Sequence, residues 1–118
     1  MTSLRWIAAA VLAVPAAVQA HDYPTAERVT FVEACMHERP GNHYEMLNKC
    51  SCVIDAIARE VPYDDYVTMS TATSANSIGG ERGNTIRDTE PLQVQIRKFR
   101  QLQAQARKGC MLDTHAPR

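Results

Sequence analysis

Two cysteines separated by a single residue, Cys50-Ser51-Cys52, fall inside the most regular apolar pattern of this 118-residue chain. Met46, Leu47, Cys50, Val53, Ile54, Ile57 and Val61 lie in one stripe about 120° wide at roughly 100° per residue, which predicts a helix over residues 43–60. On that helix Cys50 holds the centre of the stripe, while Cys52 points roughly 160° away, among Lys49, Asp55, Ala56 and Arg59. Sulfurs that diverge in this way cannot bond each other without breaking the helix. Each must reach a separate partner, and the other two cysteines are Cys35 and Cys110. The helix therefore becomes a hub stapled to both ends of the fold. Cys35–Cys50 with Cys52–Cys110 is the preferred pairing, because Cys35 and Cys50 both lie on apolar faces of a helical hairpin. Cys35–Cys52 with Cys50–Cys110 meets the same requirement, and spacing does not decide between them.

Disulfides are expected because the chain opens like an exported one. Arg5 supplies a positive n-region, Ile7 to Val14 an apolar h-region, and Val18-Gln19-Ala20 a small-residue cleavage site. An apolar run of about eight residues is far short of the roughly 20 that span a bilayer, so residues 1–20 read as a signal peptide and not as an anchor. The mature chain would start at His21, in an oxidising compartment where an even number of thiols pairs. Removing residues 1–20 of 118 leaves 98, enough for one domain. A core of that size is modest, and crosslinks commonly supplement it. In the chain-entropy description a loop of about 15 residues contributes roughly 3 kcal/mol, and one of about 58 roughly 4.

Four helices and no strand are expected over residues 21–112, with 113–118 a flexible tail. The first runs from Thr25, as its N-cap, to Glu38, with Val29, Val32, Cys35 and Met36 on one face. Arg39-Pro40-Gly41 ends it, and Asn42 with Glu45 forms a capping-box variant for the second. Pro62 opens a third helix, Tyr63 to Ser77, whose Asp64 and Asp65 favour its first turn. Its Thr/Ser-rich body makes it a poor helix former on propensity alone. Gly79-Gly80-Glu81-Arg82-Gly83-Asn84 reads as a flexible exposed connection. Asp88 or Thr89 caps a last helix with Pro91 in its first turn. Leu92, Ile96, Phe99, Ala106 and Cys110 share its inner face, and Gly109 marks its end.

Charge is uneven along the mature chain although its sum is near zero: 12 Lys+Arg (13 less Arg5) against 13 Asp+Glu. From Pro91 to Leu112 there are five basic residues, Arg97, Lys98, Arg100, Arg107 and Lys108, and no acid. Export argues against nucleic acid as a partner. The segment suits an acidic protein surface, with Arg97, Arg100, Lys108 and, from the glycine loop, Arg82 as contact residues. That loop with Arg82 and Arg87 is also a weak anion motif. Redox catalysis usually takes Cys-x-x-Cys at a helix N-terminus, and thiolate metal sites take paired C-x₂-C, neither of which occurs. An N-terminal His21, joined by His37 and His43 around the first turn, has the donor chemistry for copper. No nucleophile-elbow or zincin motif appears, and the chain reads as a non-enzyme without a cofactor.

The segments HDYPTAERV from His21, NKCSC from Asn48, YDDYVT from Tyr63 and IGGERG from Ile78 together resemble a family of small periplasmic bacterial proteins. Those proteins accompany quinoprotein (PQQ-dependent) alcohol dehydrogenase systems and their cytochromes, and the resemblance spans most of the mature chain. It implies a periplasmic accessory role and brings no catalytic residues. The expectation is an all-α, four-helix domain held by two disulfides that binds a periplasmic protein partner. The alternatives are a copper carrier built on His21 and a small inhibitor or immunity protein on the same scaffold.

Overall fold

A stripe of Cys50, Val53, Ile54 and Ile57 on one helix must be covered from more than one side, and the chain does this with helices alone. In the computed structural model, which describes residues 22–112, the elements are α1 (Thr25–Glu38), α2 (His43–Glu60), α3 (Tyr63–Asn76), α4 (Glu81–Arg87) and α5 (Glu90–Gly109). The described residues contain no strand. The expected signal peptide (1–20), His21 and the expected tail (113–118) lie outside them. No described helix is long and apolar enough to cross a membrane.

α2 buries Cys50, Val53, Ile54, Ile57 and Ala58, more residues than any other helix. α1 folds back on it after the short Arg39–Asn42 turn, while α5 packs against another side. α3 packs against α5 and reaches the same core, and α4 packs against both α3 and α5. The core joins Val53, Ile54 and Ile57 of α2 to Tyr66 and Met69 of α3, Phe99 and Ala106 of α5, and Tyr23 ahead of α1. Both disulfides radiate from α2: Cys35–Cys50 closes 15 residues and clamps α1, and Cys52–Cys110 closes 58 and clamps the end of α5. The preferred of the two pairings left open by spacing is the one formed.

Among the described residues five helices stand where four were expected, because the glycine-rich connection is not a flexible loop. Gly80 takes φ +76°, a conformation that suits glycine, and the chain then enters α4. Arg87 ties this turn down, donating from Nη1 to the Ile78 carbonyl at 3.0 Å and from Nη2 to the Gly80 carbonyl at 3.2 Å and to Asn84 Oδ1. Gly83 is buried, and a Cβ there would sit 2.0 Å from the Ile78 carbonyl oxygen. Arg87 thus spends its guanidinium on the chain itself, which removes it from any anion loop.

Smaller corrections concern the helix ends. Pro24, not Thr25, occupies the N-cap of α1. Asn42 does cap α2, accepting from the Glu45 amide at 3.2 Å, while the Glu45 carboxylate takes Lys49 Nζ at 2.6 Å. Gly109 is the last residue of α5, where its end was expected. The left-handed residue that ends α5 is Met111, at φ 55°, with Met111 N–H donating to Lys108 O and Leu112 N–H to Arg107 O in a Schellman arrangement. α3 forms despite its composition because Tyr66, Met69 and Ala72 bury one face of it, while its hydroxyls bond back to the preceding turn. Thr68 donates to Asp64 O and Thr73 to Met69 O, so neither competes for another backbone geometry.

Candidate partner-binding site

The inner face of α5 is fixed by Ile96, Phe99, Ala106 and Cys110, all buried. At 3.6 residues per turn, Arg97, Arg100, Gln101, Ala104 and Lys108 fall on the opposite face, and all five are exposed. Arg97, Arg100 and Lys108 follow one another at spacings of three and eight, so their charges run along one side of the helix over roughly 16 Å. Arg97 donates to Glu90 Oε1 at 2.8 Å, both side chains being more than half exposed. Among the described residues no ion pair engages Arg100, Lys98 or Lys108. The result is a fixed row of positive charge, raised on a helix whose other face is locked into the core and whose end is held by Cys52–Cys110.

Arg82 does not lie on that row. It is exposed on α4, a separate element, where the ordered turn replaces the adaptable loop expected from the glycines. Lys98 and Arg107 border the row on either side, Arg107 being half-buried at the edge of a small cavity with Phe31, Cys35 and Gln103.

The candidate metal residues are not gathered by the fold. His37 is exposed in the last turn of α1. His43 opens α2 with its ring edge-on to Tyr44 at 5.5 Å. Among the described residues no group of three or more His, Cys, Asp or Glu is placed to hold a metal. His21 lies outside the described residues. All four cysteines are oxidised, so none offers a thiolate.

An aromatic cluster joins α1 to the rest. Tyr23 is 2% exposed, packs its ring 5.2 Å from Tyr63 and 5.1 Å from Tyr66, and donates to the Val61 carbonyl at 2.9 Å. Arg28 lies over the Tyr23 ring at 5.7 Å. Burial pushes the Tyr23 hydroxyl up to about 12, against the opposing pull of Arg28. Tyr66 donates to Glu27 Oε1 at 3.0 Å, and burial together with that carboxylate raises its hydroxyl well above the ordinary phenol range.

A second surface was missed because its residues were assigned to the core. Val29 and Leu47, expected on buried stripes, are 51% and 37% exposed. With Val32, Met36 and Ile54 they line an open groove of about 550 Å³ between α1 and α2. The spacing of these residues was visible in the sequence, but how shallowly α1 sits on α2 was not. No family model matches the chain, and neither a curated protein nor a solved structure is detectably similar to it.

Proposed function

We propose that this is a non-enzymatic, exported binding protein of the bacterial periplasm that docks an acidic protein partner through the outer face of α5. The partner proposed is a quinoprotein alcohol dehydrogenase or its electron acceptor, as the resemblance in His21–Val29, Asn48–Cys52, Tyr63–Thr68 and Ile78–Gly83 implies. The observation that carries the reading is the row Arg97, Arg100 and Lys108, exposed and without an acid on α5 after Glu90. A helix fixed by a covalent staple presents such charges with little ordering left to be lost on binding. Charges at an exposed rim act mainly on encounter rate and salt dependence, so binding should weaken as ionic strength rises.

The test is titration of the purified protein against the dehydrogenase and, separately, its cytochrome at low and high salt. Arg100→Glu with Lys108→Glu should lower the association rate by about tenfold or more at low salt, with little change in the dissociation rate. Binding that is independent of salt and unaltered in the double variant would exclude the α5 face. No binding to either protein would exclude the proposed partner.

A further inference from the structure

α1 buries none of its 14 residues. Helices of ordinary domains owe most of their stability to a buried face, so this one is incompletely covered. It is held chiefly at its ends, by Tyr23 just before it and by Cys35–Cys50 and the Arg39 donation to Leu112 O near its close. Phe31 and Val32 reach the core only in part. What α1 leaves uncovered is patterned. Val29, Val32 and Met36 stand at i, i+3 and i+7, and Leu47 and Ser51 of α2 at i and i+4 along the same groove, over a floor of buried Ile54. These spacings of three and four are those of a helical-bundle seam, carried here by both members of an antiparallel hairpin.

The rim says which occupant suits it. Arg28 pairs with Asp55 at 2.6 Å, and Glu33 and His43 complete the border. Both signs are present around an apolar centre, so a second copy meets complementary charge, whereas the single-signed face of α5 would repel its own copy. We infer that the α1–α2 groove is a two-fold interface in which a second copy of this chain lays its own α1–α2 hairpin, the two closing a four-helix bundle. Because Cys50 and Cys52 hold α1 and α5 on different sides of α2, the dimer leaves the basic row of α5 open. The inference does not depend on the function proposed for that row.

Sedimentation velocity of the disulfide-intact protein, from about 1 µM to about 500 µM, reads the association directly. The mass should rise from one chain toward two. Leu47→Glu and, independently, Val29→Glu each place a carboxylate in the seam twice per dimer and should raise the dissociation constant by at least about tenfold. Both positions are exposed in the single chain, and circular dichroism with an unreduced mass confirms that each variant has folded. Arg100→Glu should leave the association unchanged, which separates this result from loss of partner binding. A single-chain mass at every concentration would overturn the inference. So would a dimer indifferent to both substitutions, or a monomer whose groove instead takes an amphipathic Leu/Lys model peptide.

Discussion

Gly83 and Gly109 look alike in the sequence and have opposite meanings in the fold. An alanine Cβ at Gly83 would meet the Ile78 carbonyl, which belongs to the backbone and cannot swing aside, whereas at Gly109 nothing lies within 4 Å. Gly83→Ala should therefore cost about 1–3 kcal/mol, as overpacking does. Gly109→Ala should stabilise by about 0.5–1 kcal/mol, since it removes unfolded-state freedom from a helical position. Urea titration of the two variants reads both signs. The tyrosines give a residue-scale prediction in pH. Tyr23 keeps its proton up to about 12 when folded but only to 10 when unfolded, and Tyr66 is shifted the same way. A pKa raised by folding contributes stability that is intact below pH 10 and is lost as pH climbs through the folded value. Stability should fall steeply between pH 10 and 12, and Tyr23→Phe with Tyr66→Phe should flatten that fall. Denaturant midpoints measured across the interval check it, and an equal slope in the double variant would assign the loss to other groups.

At the scale of the element, legibility followed how local the cause was. The bounds of α1, α2 and α3 could be read because apolar spacing, Pro40, Asn42 and Pro62 act within a few residues. α4 was hidden because three glycines in five positions signal a loop. What orders it is Arg87 reaching back seven and nine residues, together with a close backbone approach that only glycine permits. The end of α5 falls at Gly109, where it was expected, but the left-handed turn beyond it is taken by Met111 and not by the glycine. Of the candidate sites, the basic face of α5 was legible, since charge period and core period lie on one helix. The α1–α2 groove was not, because apolar residues at helical spacing are read as core until a neighbour fails to cover them. The two staples should differ in reach. Removing Cys35–Cys50 (both to Ala) costs about 3 kcal/mol by loop length, and its loss should fall first on α1, which has no buried residue to hold it. Removing Cys52–Cys110 costs about 4 kcal/mol and should lower protection in α2 and α5 together. Amide hydrogen exchange separates the two patterns, and uniform loss in both variants would mean that α1 is integral to the cooperative core.

The whole molecule is organised around one helix that faces two ways. α2 presents Cys50 from its apolar stripe to α1 and Cys52 from its other side to α5, so a modest core is clamped at both flanks. The same division separates the two surfaces: a mixed-charge apolar groove on the α1 side and a row of positive charge on the α5 side. Each function proposed here, partner docking and pairing of copies, requires that division to be covalently fixed. Collisional fragmentation of unreduced proteolytic peptides, which breaks the backbone between Cys50 and Cys52 and leaves the S–S bonds intact, tests this most directly. The expected result is Cys35 linked to the fragment bearing Cys50 and Cys110 to the fragment bearing Cys52, with no free thiol. A bond joining Cys50 to Cys52, or the crossed pairing of Cys35 with Cys52, would contradict it.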